Sequence, residues 1–287
     1  MEKHTKKILK QNWGDDDTVS HRAVRGEGTS APDESEIKVF EKYLKEAINN
    51  KSKPKALILG ATPELRDIAI EYGLETVTVD ISENLAIALT KAMKHRDSPL
   101  NKILIGDWLN MDNIFEKDSF DVIMGDASLN NVPIEKYDEI MGICKYLLKK
   151  GGFFIHRQLV YDPSVKNQSY DSLIERLNKN ELSCVGFIVQ LGLYTKLKKD
   201  FLDKENKMIS WKHATETTID SFKDKVSKSK WAPLYNLCYT AKGLKSVILT
   251  RDELEGYFKK FFVIKRVSSK YETPLSRDFP IHMLEKK

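Results

Sequence analysis

The sequence predicts an α/β fold, a doubly wound and mostly parallel sheet with helices on both faces. Three observations carry that expectation. Short apolar runs alternate strictly with amphipathic stretches between Lys55 and Arg157, and such alternation requires right-handed crossovers between parallel strands. The runs themselves are apolar throughout, as strands covered on both faces are. The same pattern returns after residue 246, so an insertion interrupts one sheet.

Taken in order, residues 1–50 form an arm and a lead-in helix. Residues 13–34 are rich in Gly, Ser, Asp and Pro without apolar periodicity, which reads as an extended arm. Asp33 is then an N-cap with Glu36 three residues on, and Ile37, Phe40, Tyr43, Leu44 and Ile48 recur at helical spacing. Residues 51–164 hold five strand candidates: Ala56–Leu59, Thr76–Val79, Ile103–Ile105, Phe120–Met124 and Phe153–Ile155. Helical patterns at 63–72, 83–96 and 134–149 separate them, the last closed by Gly151 and Gly152. Residues 165–245 lose the alternation and read as a helical insertion. Residues 246–287 resume it with a helix start at Thr250 and strand candidates Phe261–Ile264 and Phe279–Leu284.

Composition sets outer bounds. With 287 residues, 41% of them hydrophobic, the chain is long enough to bury a core without covalent staples. The three cysteines, Cys144, Cys184 and Cys238, are far apart and form no C-x-x-C pair, which speaks against a disulfide framework and for a reducing, cytoplasmic home. The charged start Met1–Lys7 leads into no apolar core, and no run approaches the ~18 apolar residues of a membrane span, so secretion and membrane insertion are not expected. No His, Asp or Glu spacing suggests a metal site.

The chemistry concentrates where strands end. Leu57-Ile58-Leu59-Gly60-Ala61-Thr62-Pro63-Glu64-Leu65-Arg66 is a buried strand entering a helix through a glycine turn. Ligands of open α/β sheets bind beyond such strand ends, and Gly60 and Ala61 let one approach the backbone. Thr62 as N-cap and Pro63 in the first helical position would aim free amides at the crevice. Asp80 ends the second strand 20 residues after Gly60, where an acid accepts from two ribose hydroxyls; the alternative is a cap for the next helix. Asp107 could accept from an adenine amino group and Trp108 could pack on its ring. The fourth strand ends in Gly125-Asp126-Ala127-Ser128-Leu129-Asn130, small and polar where a second substrate would meet the first. Positions 60–65 read G-A-T-P-E-L rather than G-x-G-x-x-G, which disfavours a dinucleotide, and no G-x-x-x-x-G-K-[ST] loop is present.

On these residues the sequence resembles the class I S-adenosylmethionine-dependent methyltransferases, from about Phe40 to Arg157 and again from Leu249 to the end. Leu59–Arg66, Val79–Ser82, Gly106–Trp108, Phe120–Asp126 and Leu147–Phe153 carry the resemblance. The single glycine of the first motif resembles a subgroup with a G-x-T-P-E-L-R turn. The resemblance implies a Rossmann-like seven-stranded sheet with a reversed C-terminal hairpin, S-adenosylmethionine as methyl donor and S-adenosylhomocysteine as product. The cofactor residues it implies are Gly60, Ala61, Thr62, Pro63, Glu64, Arg66, Asp80, Ile81, Gly106, Asp107, Trp108, Asp126, Ala127 and Ser128.

Methyl transfer from a sulfonium needs alignment and, for a hydroxyl or protonated amine acceptor, a base. Asp126 and His156 are the base candidates, the histidine alternatively capping the sheet. Trp13, Arg25, Asn130, Arg157 and Tyr161 are candidates for the acceptor side, the first two as an arm closing over the site. Thr195–Lys230 holds ten lysines and six acids; interspersed signs favour a solvated face over a nucleic-acid surface. The expected acceptor is therefore a small molecule, accepting on O or N. The runners-up are an RNA or protein methyltransferase with a basic insertion, and a non-catalytic adenosyl-binding partner. The sequence leaves the oligomeric state open.

Overall fold

A computed structural model describes residues 30–287, apart from Lys204, Asn206, Lys242 and Gly243. Two compact units emerge. One comprises Pro32–Val160 with Leu249–Lys287, and the other is built on Tyr161–Ile248.

The first unit opens with α1 (Glu34–Ala47), started by the capping box expected of Asp33: its carboxylate accepts from the amides of Ser35 and Glu36, while Glu36 Oε2 accepts from Asp33 N at 3.0 Å. Helical spacing brings Val39, Phe40, Tyr43, Leu44 and Ala47 onto one buried face. That face joins Ile58, Val122, Met124, Ile155 and Met283 of the sheet in a single apolar cluster. Burying a ring such as Phe40 contributes roughly 1.5–3 kcal/mol, enough to hold a lead-in helix on the layer.

The sheet strands are β1 (Lys55–Leu59), β2 (Glu75–Asp80), β3 (Asn101–Ile105), β4 (Phe120–Asp126), β5 (Leu148–Arg157), β6 (Phe262–Val267) and β7 (Ile281–Lys286). The helices between them are α2 (Pro63–Glu71), α3 (Glu83–Lys91), α4 (Tyr137–Leu147) and α5 (Arg251–Phe261). Spatial order is β6-β7-β5-β4-β1-β2-β3. Parallel pairing sets Leu59 beside Val79 on one side and Gly125 on the other. β7 runs antiparallel to both β5 and β6, the reversed hairpin that the resemblance implies. Strand order turns about between β1 and β4. A crevice beyond the carboxyl ends is the consequence of that reversal, and Gly60 stands at its head.

Among its described residues the second unit has four helices of nine residues or more, Tyr170–Asn178, Cys184–Tyr194, Lys212–Phe222 and Lys228–Ala241. The apolar helix Cys184–Tyr194 is buried along its whole length. A purely helical insertion is not what forms, however. Leu202–Asp203, Met208–Ser210 and Lys245–Val247 make a three-stranded antiparallel sheet, with Ile209 paired to Ser246. Strands of two or three residues lie below what periodicity can register, and this pairing joins positions 37 residues apart in sequence. Trp211 belongs to the core of this unit: its ring lies 3.2 Å from where a Cβ on Gly192 would stand.

Candidate active site

At the end of β1, Gly60 takes φ +92°, and its amide donates to Val79 O at 2.9 Å. A side chain there would be strained by that φ and would enter the space between the Trp108 ring (3.6 Å) and Asp80 Oδ2 (3.9 Å). Asp80 is bound to the same turn. Oδ2 accepts from Ala61 N at 2.9 Å and Oδ1 from Ser82 N at 2.8 Å. A carboxylate has about four lone-pair positions, so the amides of this turn do not exhaust its acceptor capacity. Asp80 is only 4% exposed, and burial pushes its pKa up, opposed by the amides of Ser82, Ala61 and Ile81 and by Arg66.

The neighbouring candidates divide by what their side chains already do. Thr62 occupies the N-cap position of α2 without a side-chain cap bond, Pro63 follows at the first helical position, and Glu64 lies in the first turn. Arg66 is a correction. Its guanidinium is fully buried and donates to Thr90 Oγ1 and Asn101 Oδ1, both at 2.9 Å, so it braces α2 against α3 and β3 and does not reach out to a cofactor. Asp107 uses Oδ1 to accept from Leu109 N, capping a short turn. Trp108 donates from its indole to Val79 O at 2.7 Å, which pins the ring beside Gly60. Gly106 and Ile81 stand half-buried at the same strand ends, Gly106 N donating to Asp80 O.

Beyond β4 the chain turns sharply at Ala127, whose φ of +50° is uncommon for a residue with a Cβ. Two bonds hold that turn: Ala127 N to Arg157 O at 2.8 Å, and Ser128 Oγ to Leu59 O at 2.6 Å. Ser128 is thus a staple between β4 and β1 rather than an open ligand. Asn130, expected on the acceptor side, pairs its amide group with Leu159 through N and O and is 4% exposed, so it supports the wall from behind.

Arg157 corrects another expectation. Rather than face an acceptor it lies at 1% exposure between two acids, with Nε 2.8 Å from Glu36 Oε1 and Nη1 2.7 Å from Asp126 Oδ1. The guanidinium also stacks over Phe279 at 4.1 Å. Burial alone would weaken its charge, but Glu36 and Asp126 outweigh that and raise its pKa. For Glu36, burial dominates and raises the carboxyl pKa despite Arg157. Sequence reading saw Glu36 only as a capping partner. The overlooked signal was its spacing, four residues before Phe40 and seven before Tyr43, which puts it on the buried face.

His156 is also corrected as a base. It is fully enclosed, with both ring nitrogens unpartnered, and burial, His282 and Arg157 hold its pKa well below the usual histidine range. Directly opposite on β7 is His282. A Cβ on Gly125 would fall 2.7 Å from the His156 ring, so the glycine makes room for it. Tyr161 belongs to the other unit, where Lys198 lies over its ring at 4.0 Å. Trp13 and Arg25 lie outside the described residues. Among the described residues no group of three His, Cys, Asp or Glu could hold a metal ion.

Residues 59–156, about a third of the chain, match the family model described as a methyltransferase domain. This stretch runs from the glycine turn through Asp80, Trp108 and Asp126 to the end of β5. Over that stretch the chain carries a methyltransferase domain, set in a seven-stranded sheet of the class I S-adenosylmethionine-dependent type. No curated protein matches the chain. Several solved structures share the methyltransferase fold at low identity. The PH0226 protein of Pyrococcus horikoshii OT3 is 18% identical, with 88% of this chain and 90% of that one covered at a TM-score of 0.53. The CcbJ methyltransferase of Streptomyces caelestis is 12% identical over 95% and 99%, also at 0.53. A protein from Rhodobacter sphaeroides described as a Zn-dependent alcohol dehydrogenase is 13% identical over 95% and 98%, at 0.57. At such identities the likeness is one of fold, and it assigns no substrate.

The residues of the methyltransferase domain fit its cofactor. The open Gly60 turn is a cradle that a Cβ would fill, with a carboxylate on one side and an indole on the other. S-adenosylmethionine supplies an activated methyl group on a sulfonium sulphur. Asp80 would hold the ribose hydroxyls, Gly60 and Ala61 would leave room along the backbone, and Trp108 would form the wall of the nucleoside site.

Proposed function

We propose that this methyltransferase acts on an O or N nucleophile of a small-molecule acceptor, with Asp126 orienting the acceptor and accepting its proton. The observation that carries the reading is the placement of two carboxylates about one turn. Leu59 is in register with Val79 and with Gly125, so Gly60 lies between Asp80 and Asp126. Asp80 serves the nucleoside side. Asp126 ends the adjacent strand, where an acceptor would approach the methyl group.

Arg157 gives Asp126 a fixed direction, since Nη1 holds Oδ1 at 2.7 Å and the guanidinium is itself anchored by Glu36 and Phe279. A side chain that is fixed before the acceptor arrives loses little entropy in aligning it, which is the main service the protein renders to a sulfonium donor. Interspersed charge from Thr195 to Lys230 supports a small acceptor over nucleic acid. Among the described residues no helix is long and apolar enough to cross a membrane. Cys144, Cys184 and Cys238 are all free and buried, in keeping with a reducing cytoplasm.

The test pairs binding with turnover. Cell extract treated with methyl-labelled S-adenosylmethionine and the enzyme should yield a labelled product of low mass, whose turnover by Asp126→Asn falls at least tenfold while calorimetric affinity for S-adenosylmethionine stays within a factor of two. Label appearing only in RNA or protein would overturn the small-molecule reading. An unaltered kcat in the variant would remove Asp126 from the reaction.

A further inference from the structure

The amino ends of the strands, at the opposite pole from Gly60, hold an open hollow of about 380 Å³ lined by Lys117, Asp118, Lys145, Tyr146, Lys150 and Lys286, with Gly142 beside them. Four separate segments build it. Lys117 and Asp118 come from the turn before β4, Lys145 and Tyr146 from the last turn of α4, Lys150 from the start of β5, and Lys286 from the end of β7. Four lysines against one aspartate leave three positive charges in excess in one hollow, within a chain whose whole formal charge is +5.

Two neighbouring acids are already engaged by other lysines. Asp121 binds Lys149 and Lys51, and Asp138 binds Lys260. Within the cavity Asp118 binds Lys286 at 2.6 Å, and Lys286 also donates to Leu148 O. No salt bridge reaches Lys117, Lys145 or Lys150 from an acid of the described residues. Lysine in the last turn of α4 complements the helix carbonyls, which accounts for Lys145 alone. Lys117 and Lys150 come from a loop and a strand and have no such partner. The hollow is open and Lys117 and Lys150 are exposed, but like charges gathered on one concave surface still raise the local potential and attract a multivalent anion.

We propose that this cavity is a binding site for a small phosphate-bearing anion, separate from the methyl-transfer site. Lys117, Lys145 and Lys150 supply mobile ammonium donors for the phosphate oxygens. Lys286, only 13% exposed in its side chain and held by Asp118 and Leu148, is the fixed donor. The Tyr146 ring, 39% exposed, forms a flat wall on which a base could stack.

Calorimetry on the full chain with inorganic pyrophosphate as probe tests this, with ADP in a second arm. Pyrophosphate should bind the wild type with an affinity that falls as KCl rises from 50 to 300 mM (about a sixfold range), as screening of lysine contacts requires. The double variant Lys145→Gln/Lys150→Gln, whose side chains are surface-exposed or half-buried and disturb no packed core, should lose about tenfold or more in affinity with an unchanged melting temperature in the absence of ligand. ADP binding more tightly than pyrophosphate, with the difference abolished by Tyr146→Ala, would identify a nucleotide as the ligand; equal affinities would identify the phosphates alone. Absence of pyrophosphate binding at millimolar concentration, or equal affinity in the double variant, would overturn the proposal. Affinity for S-adenosylmethionine should be the same in wild type and variant.

Discussion

Replacing Arg157 by methionine should be among the most damaging single changes in the first unit, and the structure lets its cost be worked out. The wild-type guanidinium makes charged hydrogen bonds of 2.8 Å to Glu36 and 2.7 Å to Asp126, and none of the three side chains is more than 9% exposed. Removing one member of a buried ionic group costs about 3–5 kcal/mol, because a carboxylate is left without its counter-charge. Losing the stack on Phe279 adds about 0.5–2 kcal/mol. Asp126, at the edge of the crevice, can recover some hydration, so the expected net is about 4 kcal/mol at pH 8. The pH dependence follows with a definite sign. Burial already raises the Glu36 pKa, and losing Arg157 removes the main influence that lowers it. Glu36 of the folded variant then binds a proton at a pH where the unfolded chain has released it. Relative to wild type, the variant gains stability as pH falls from 8 towards 5.5. Urea denaturation followed by circular dichroism at both pH values measures the difference. The double variant Glu36→Gln/Arg157→Met should be more stable than Arg157→Met alone. A loss below 1 kcal/mol at pH 8, or a gap that widens on acidification, would refute this account of the triad.

Asp80→Ala should weaken calorimetric affinity for S-adenosylmethionine by roughly 1–3 kcal/mol, the worth of charge-assisted hydrogen bonds to the ribose; an unchanged affinity would detach Asp80 from the cofactor. Gly125→Ala would place a methyl group 2.7 Å from the His156 ring and 2.8 Å from Ser128 Oγ, so a loss of about 1–3 kcal/mol in urea midpoint analysis is expected. His156 is buried neutral, its folded pKa far below the ordinary value, so its contribution is complete above about pH 6.5 and declines as pH falls below that, where only the unfolded chain takes up the proton. Wild-type minus His156→Gln stability, measured between pH 7.5 and 5, should therefore shrink on acidification by up to about 1.4 kcal/mol per pH unit; a flat difference would contradict the enclosed ring.

The sequence by itself determined the layer and the strand-end turn on which the candidate site is argued. Alternating apolar runs and helices, ended by Gly60 and Asp80, specify strand–turn–helix units locally, and local periodicity is fixed by the backbone geometry of each element. That is why the capping box of Asp33, the glycine turn and the acid at the end of β2 all occur where the residues predict. The fates of Arg66, Arg157, Asn130 and His156 were decided by tertiary structure alone. A charged or polar residue next to a strand end can turn towards ligand or into the layer, and the choice depends on partners remote in sequence: Thr90 and Asn101 for Arg66, Glu36 for Arg157, Leu159 for Asn130, His282 for His156. Glu36 and Arg157 stand 121 residues apart. The same holds for the short sheet of the insertion and for the lysines gathered at the far pole, because charges from four segments become one cavity only when the sheet brings their ends together.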